Sequence, residues 1–312
     1  MKEKIEEVIK SVGKAIKGKR NVVELILTCL IGEGHILIED IPGVGKTTMV
    51  KAISKSLGLS FNRLQFTPDV LPTDITGLNI YNQATREFRF IKGPVFTNIL
   101  LADEINRATP KTQSSLLEVM EEKQVTVDGT LYRVPYPFMV LATQNPIEFE
   151  GTYTLPESQM DRFMMKISMG YPQRSEEREI IEEYMVRDPL DEIEPVLSSE
   201  DLENMIIESK TVYMSDEVEE YILDIVDGTR KNDFISLGVS PRGALQLAKA
   251  SRAYAYIKGR DYVIPDDVKK MSLYVLPHRV LTKTVKFDRI GAKGVIEEIL
   301  RNVKVPRGEV HV

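Results

Sequence analysis

A loop of small residues between a predicted strand and a predicted helix is the feature that most constrains the fold of this chain. Residues 35–38 form an apolar run typical of a short strand, and residues 47–57 carry apolar side chains at helical spacing. Small residues in such a loop let backbone N–H groups converge on an anion, and the helix N-terminus adds a favourable dipole. The sequence therefore predicts a phosphate-binding loop, formed by Pro42, Gly43, Val44, Gly45, Lys46, Thr47 and Thr48.

Two side chains of this loop have the chemistry that a nucleoside triphosphate requires. Lys46 is placed to reach the β- and γ-phosphates, and the Thr47 hydroxyl is suited to Mg²⁺, whose other ligands come mainly from phosphates. Asp40 occupies the position where the general phosphate-loop pattern has a glycine, so two of the pattern's glycines remain. A Gly-rich turn without a ligand is the alternative. We predict ATP and Mg²⁺ as the cofactors.

Two adjacent carboxylates follow the next strongly apolar segment. Residues 98–102 are typical of a strand buried on both faces of a parallel sheet, and Asp103 and Glu104 end it. Asp103 is predicted to hold Mg²⁺, whereas Glu104, pointing the other way along the pleat, would activate the attacking water. Acids at a solvent-exposed sheet edge are the alternative, but a predicted position in the same sheet as Lys46 favours hydrolysis.

Three further polar residues are candidates for the site. Asn145 follows a third apolar strand, 138–142, at the edge where open α/β sheets bind ligands, although an Asn-Pro turn explains it equally. Arg162 lies beyond these strands and could enter the site of a neighbouring subunit; the alternative is a surface ion pair. Arg242 stands at the start of a helix with Pro241 at its first position, and its side chain could face a phosphate.

The order of the patterns divides the chain into two parts. Two helical patterns precede the first strand, and two predicted hairpins, within 71–96 and 123–137, separate the apolar strands. After residue 171 the patterns are helical, at 176–186, 199–210, 216–231, 241–258 and 265–276. We predict an α/β fold: a P-loop αβα sandwich with a parallel sheet over residues 1–171, followed by an all-α domain over 172–312.

Charge and composition exclude several classes of function. Lys plus Arg number 41 against 47 Asp plus Glu, a net charge of −6 that repels nucleic acid and anionic membranes. Cys29 is the only cysteine, so no intrachain disulfide forms, and His35, His278 and His311 are too scattered for a metal cluster. The longest apolar stretch, 22–31, is about half the roughly 20 residues that span a bilayer. We predict a cytoplasmic protein without membrane insertion.

Taken in order, these motifs and several others resemble the MoxR family of AAA+ ATPases over about residues 20–300. Asp40 in place of the general glycine is typical of that family. The matching segments are 40–47 (DIPGVGKT), 65–69 (QFTPD), 93–96 (GPVF), 102–108 (ADEINRA), 142–146 (ATQNP), 155–157 (LPE), 161–163 (DRF) and 240–242 (SPR).

The resemblance implies an AAA+ fold whose C-terminal helices form a lid. It also implies roles for the candidate residues: Lys46 for phosphate, Thr47 and Asp103 for metal, Glu104 as base, Asn145 as first sensor, Arg162 as arginine finger and Arg242 as second sensor. Whether Arg242 acts in its own subunit or in the next stays open. A finger supplied by a neighbour makes hydrolysis depend on assembly, and the resemblance implies a homo-oligomeric ring, expected to be hexameric.

For function, the resemblance implies an ATP-driven chaperone that remodels or activates a protein client together with a von Willebrand A domain protein. The two hairpins resemble insertions shared with magnesium chelatase and the MCM helicases, and would contact substrate or pack between subunits. A chelatase-like motor for metal insertion is the main alternative. An MCM-like nucleic-acid motor is disfavoured because the hairpin tips, 82–86 and 128–130, are not basic enough. A nonhydrolysing switch is disfavoured because it needs no Glu104.

Overall fold

The computed structural model describes residues 2–145, 151–283 and 291–306. Its helices are α1 (Lys2–Ala15), α2 (Arg20–Ile31), α3 (Lys46–Ser56), α4 (Pro72–Thr76), α5 (Pro110–Glu122), α6 (Glu157–Met160), α7 (Arg174–Tyr184), α8 (Ser199–Lys210), α9 (Asp216–Lys231), α10 (Pro241–Ile257), α11 (Pro265–Val275) and α12 (Gly291–Asn302). Short 3₁₀ turns lie at Ile105–Arg107, Pro189–Glu192 and Pro277–Arg279.

The strands are β1 (Ile36–Glu39), β2 (Phe61–Gln65), β3 (Gly77–Asn82), β4 (Glu87–Lys92), β5 (Ile99–Asp103), β6 (Gln124–Val127), β7 (Thr130–Arg133), β8 (Met139–Gln144), β9 (Met165–Ile167), β10 (Ile235–Leu237) and β11 (Leu281–Thr282). Five of them form one parallel sheet in the order β2-β5-β8-β1-β9. The predicted parallel sheet is therefore confirmed, and the carboxyl ends of its strands meet at one edge.

Side chains alternate between two cores, one on each face of the sheet. In β5, Ile99 and Leu101 join the first core, whereas Leu100 and Ala102 join the second. The same alternation runs along β8 and β1, as the two-residue period of a strand requires. Helices α1, α2, α3 and the C-terminal helices contribute to the first core, and α5 contributes to the second. Helices therefore cover both faces, as predicted.

The two hairpins are present and pack against each other. The ring of Phe90 in β4 stacks on Tyr132 in β7 with centroids 4.1 Å apart, and the Asn79 amide donates to the Asp128 carboxylate at 2.7 Å. Asp128 and Gly129 have φ angles of 49° and 78°, the left-handed pair that a tight two-residue hairpin turn requires. The Asp-Gly turn is therefore where the sequence predicts it.

Several elements of the structure were not predicted from the sequence: strands β2, β9, β10 and β11 and helices α4, α5, α6 and α12. Strand β2 is an edge strand with mixed, half-exposed residues, and β9 has only three residues, so neither produces a clear apolar pattern. In the C-terminal half, where only helices are predicted, β10 pairs with β11 in a short antiparallel ribbon.

Among the helices of the described residues, none is long and apolar enough to cross a membrane.

Candidate active site

The loop before α3 has the backbone shape of an anion-binding turn. Gly43 and Gly45 have φ angles of 84° and 87°, in the left-handed region that favours glycine. A Cβ atom at either position would meet no atom within 4 Å, so a side chain would fit sterically. Glycine is therefore favoured here by the backbone conformation. Val44 between them packs against the first core. The loop therefore presents the first N–H groups of α3 to a cavity.

The Lys46 side chain folds back onto the start of its own loop. Its Nζ atom donates hydrogen bonds to the carbonyl oxygens of Asp40 and Ile41, both at 3.0 Å. Both acceptors are uncharged, so a phosphate oxygen would be a stronger partner for the ammonium group. The lysine is thus held close to the position where it is predicted to bind.

Asp40 has a structural role that the sequence analysis did not assign. Its buried carboxylate Oδ2 accepts hydrogen bonds from the backbone N–H groups of Met169 and Gly170 at 2.5 and 2.9 Å, and from the Ser168 hydroxyl at 3.1 Å. A glycine could make none of these bonds. The departure from the general phosphate-loop pattern therefore ties the loop to the segment that follows β9.

Asp103 ends β5 and is held by two side chains. Its Oδ1 atom accepts a hydrogen bond from the Thr143 hydroxyl at 2.6 Å, and its Oδ2 atom pairs with Arg63 Nη2 at 2.7 Å. Arg63 belongs to β2, the strand that the sequence does not reveal, and neither Arg63 nor Thr143 is predicted as a site residue. The guanidinium therefore neutralises the carboxylate that is predicted to hold the metal.

Glu104 does not follow the pleat, and this part of the prediction is wrong. The strand ends at Asp103, and Glu104 takes a left-handed backbone with φ 58° and ψ 49°, so strand alternation no longer applies to it. Its Oε2 atom accepts hydrogen bonds from Gln65 Nε2 at 2.6 Å and from Arg107 Nη1 at 3.1 Å. Such backbone strain in a non-glycine residue is concentrated at functional sites.

These groups surround a single cavity of about 390 Å³ at the carboxyl edge of the sheet. Of the predicted loop residues, all but Val44 line it. Three lining residues were not predicted: Gln65 and Thr143 lie in the motifs at 65–69 and 142–146, which are the signal that could have found them, whereas Arg63 lies in β2, which has no clear pattern. The lining residues are Pro42, Gly43, Gly45, Lys46, Thr47, Thr48, Arg63, Gln65, Asp103, Glu104, Thr143 and Asn145.

The donor set in this cavity fits Mg²⁺. The Thr47 hydroxyl and the Asp103 carboxylate are hard oxygen ligands that line the same space. Within the described ranges, no group of three or more His, Cys, Asp or Glu residues is arranged to hold a metal. Mg²⁺ bound with nucleotide needs only one or two protein ligands because phosphates and water supply the rest. A two-residue protein contribution is therefore sufficient.

Arg162 and Arg242 lie away from this cavity and beside each other. Arg162 Nη2 is 3.1 Å from Glu121 Oε2, and Arg242 Nη2 is 2.7 Å from Glu121 Oε1. Arg162 lines a second cavity of about 270 Å³ with five other residues: Ser114, Glu118, Glu121, Glu122 and Gln159. In the single chain, Arg162 thus forms the ion pair that was its alternative interpretation.

A buried arginine fixes the segment that carries Arg162. The side chain of Arg279 is 1% exposed, and it donates to the Asp161 carboxylate at 2.8 Å and to the Phe163 carbonyl at 2.6 Å. Burial lowers the pKa of Arg279 to about 10, and the charge of Asp161 opposes this shift. Arg279 is a further residue that no motif predicted, and it links the C-terminal helices to the turn before β9.

Comparison with known proteins agrees with this geometry. A family model described as the ATPase family associated with various cellular activities (AAA) matches residues 35–165, and one described as an AAA lid domain matches residues 227–299. The protein YeaC of Bacillus subtilis is 49% identical over 299 residues, covering 96% of this chain and 93% of YeaC. Chaperone MoxR1 of Mycobacterium tuberculosis is 44% identical over 313 residues, covering 97% and 82%.

A solved structure from Cytophaga hutchinsonii, assigned as an ATPase, superposes with a TM-score of 0.92 at 40% identity. The match covers 98% of this chain and 96% of that one. The α/β AAA+ fold with a helical lid and the ATPase activity implied by the sequence are confirmed. By its motifs, its fold and these relatives, the chain belongs to the MoxR family of AAA+ ATPases.

Proposed function

We propose that this ATPase hydrolyses Mg²⁺-ATP in a homo-oligomeric ring and uses the reaction to remodel or activate a partner protein. The observation that carries the proposal is the separation of Arg162 from the cavity of its own chain. Arg63 lines the cavity but is paired with Asp103, so a further cation is needed for the transition state. An arginine supplied by a neighbouring subunit would contribute about 10³ to 10⁵ in rate.

Within the cavity, each residue has one role. Lys46 leaves its loop carbonyls and binds the β- and γ-phosphates, while Thr47 and Asp103 hold Mg²⁺, which neutralises charge on the phosphates. Glu104 orients and deprotonates water. Within the described residues, the Glu104 carboxylate accepts its side-chain hydrogen bonds through Oε2, so Oε1 can bind the water. Asn145, which lines the same cavity, positions the γ-phosphate and the water.

We propose a ring of six subunits, in which Arg162 and Arg242 act on the nucleotide of the neighbouring subunit. Both side chains converge on one carboxylate outside their own cavity, which supports a shared target in the next subunit. We also propose that residues 1–171 and 172–312 are the two domains. Matches of separate family models to 35–165 and 227–299 support this division.

The proposed activity is chaperone-like and takes place in the cytoplasm, with a von Willebrand A domain protein as the working partner. The name of Chaperone MoxR1 supports it, as do the exposed apolar side chains of the first hairpin, among them Ile80, Tyr81 and Phe88. Such a face suits a protein better than a nucleic acid, which the net charge of −6 also disfavours. A chelatase-like partner is the alternative.

The decisive test of the ring mechanism is subunit mixing. An Arg162→Ala subunit keeps a complete cavity without offering a finger, and a Lys46→Ala subunit offers the finger without a working cavity. Each alone should hydrolyse ATP at least about 100-fold more slowly than the wild type, and mixing should restore part of the rate. Full activity of Arg162→Ala alone would remove the finger from the mechanism.

The partner is tested by capture with the Glu104→Gln variant. In Mg²⁺-ATP this variant should retain the partner-binding state, and in ADP it should not. Mass spectrometry of the captured proteins identifies the class of partner. A von Willebrand A domain protein recovered only in ATP supports the proposal, a metal-insertion subunit supports the chelatase-like alternative, and recovered nucleic acid contradicts both.

A further inference from the structure

We infer that Glu121 is a positioning residue that holds Arg162 and Arg242 as a pair for one anionic group on a neighbouring subunit. The inference deepens the proposed function and rests on it. Glu121 is in the last turn of α5, Arg162 is in the turn after α6, and Arg242 is at the start of α10. Three separate elements therefore meet at one carboxylate.

The two oxygens of this carboxylate are divided between the two guanidinium groups. Oε1 contacts Arg242 at 2.7 Å and Oε2 contacts Arg162 at 3.1 Å. Two cations this close to one another repel, and a carboxylate between them offsets the repulsion. Without Glu121, we expect the two side chains to separate into solvent, because each is only partly buried.

Helices α5 and α10 would each be more stable without the charge of Glu121 or Arg242 at its end. Arg242 lies in the first turn of α10, where the helix dipole disfavours a cation, and Glu121 lies in the last turn of α5, where it disfavours an anion. Charges that oppose their own helices are expected where function requires them. Glu122 has the same unfavourable position at the end of α5, so the feature that distinguishes Glu121 is its contact with both arginines.

Each arginine keeps donors for a second partner. A guanidinium has five N–H groups. Among the described residues, Arg162 and Arg242 each contact Glu121 through Nη2 alone. The Nε and Nη1 atoms remain available for phosphate oxygens while Glu121 holds the other edge. Glu121 and a phosphate can thus bind the pair at the same time, which makes the carboxylate a support and not a competitor.

The turn of Arg162 is also tied to α10 by its neighbour. Asp161 accepts a hydrogen bond from the Ser240 hydroxyl at 3.2 Å and pairs with Arg279. These contacts fix the backbones that carry the two arginines, and Glu121 fixes the ends of their side chains. The distance between the two guanidinium groups is therefore set by the fold before any neighbour binds.

The test is the steady-state ATPase rate of Glu121→Gln, with Glu122→Gln as a matched control. Glu122 is the next residue of α5, is also exposed and lines the same second cavity, but is not paired with either arginine in the described structure. We expect kcat of Glu121→Gln to fall about tenfold, with KM and the affinity for a fluorescent ATP analogue unchanged within about twofold. Glu122→Gln should match the wild type.

A second comparison separates positioning from a structural role. In an Arg162→Ala/Arg242→Ala background, Glu121→Gln should cause no further loss, because the residues act as one unit. A full additional loss there, an unchanged rate of Glu121→Gln, or a raised rate would each overturn the inference while leaving ATP hydrolysis in the ring intact. If the Arg162→Ala variant hydrolyses ATP as fast as the wild type, the proposed ring mechanism is overturned, and this inference with it.

Discussion

The carboxylate of Asp40 accepts a hydrogen bond from the backbone N–H of Met169 at 2.5 Å, just beyond the carboxyl ends of the adjacent parallel strands β1 and β9. Gly170 donates to the same oxygen at 2.9 Å. The start of the loop and the segment after β9 are thus fixed by one side chain that is 7% exposed. The general phosphate-loop pattern has a glycine at this position, whereas here Asp40 connects the loop to the segment after β9.

Asp40→Gly restores the general pattern, and we expect it to make the protein less stable. Two backbone N–H groups would lose their acceptor, at a cost of about 1 to 3 kcal/mol each when buried. Urea unfolding measures the loss. The Asp40→Asn variant keeps one acceptor oxygen, so its stability should lie between that of the wild type and that of Asp40→Gly. An Asp40→Gly variant as stable as the wild type would show that water replaces the carboxylate without cost.

Lys46→Ala should abolish nucleotide binding. The Lys46 side chain lines the cavity that is predicted to bind the phosphates, and hydrogen bonds that involve an ionised group are about twice as strong as neutral ones. We expect the Kd for ATP to rise at least about 100-fold in calorimetric titration. Lys51→Ala is the control, because Lys51 is on the same helix and is exposed. Tight ATP binding by Lys46→Ala would contradict the assignment of the loop.

Glu104→Gln should separate binding from turnover. The amide keeps the shape of the side chain but cannot take a proton from water, so we expect ATP affinity to be retained. Hydrolysis should fall by about 10² to 10⁴, the usual contribution of a general base. Equilibrium binding and single-turnover hydrolysis on the same preparation check both parts. Turnover close to the wild-type rate would assign the base to another residue.

Stability should fall as the pH falls from about 6.5 towards 4, because of two buried histidines. His35 accepts the Val140 N–H at Nδ1 and contacts the Met120 carbonyl through Nε2, each at 3.0 Å. Burial lowers the pKa of His35 to about 4, and burial together with the charge of Arg279 lowers the pKa of His278 well below 6.5. The fold therefore requires both rings to be neutral.

The sign follows from proton binding. Between pH 6.5 and about 4 the unfolded chain binds protons that the folded chain does not, so the stabilisation is complete above 6.5 and is lost on acidification. For His35 the full loss is about 3 kcal/mol. Urea unfolding at pH 7.5, 6 and 5 measures the part of this loss that occurs above pH 5, and a neutral His35→Gln variant should show a shallower dependence of stability on pH. Equal slopes would contradict the role of His35.

Local sequence was sufficient for most of the fold and for the centre of the site. The Gly-rich loop, the apolar strands β1, β5 and β8 and the turn at Asp128 follow from backbone preference and side-chain alternation within a few residues. Strand β2 was not predicted because an edge strand is half exposed and has no continuous apolar run. Arg63 was missed for that reason, and Gln65, though part of a recognised motif, was given no role.

The sequence by itself determined which groups are the candidates to bind phosphate, metal and water, since those groups follow strands whose ends must meet at one edge of a parallel sheet. Only the tertiary structure decided the direction of Glu104, because a left-handed residue ends the pleat. It also decided the partners of the arginines: Arg242 meets Glu121 and Arg279 meets Asp161 across 121 and 118 positions of chain. Such pairs depend on how helices pack against one another, and no pattern within a single segment records that packing.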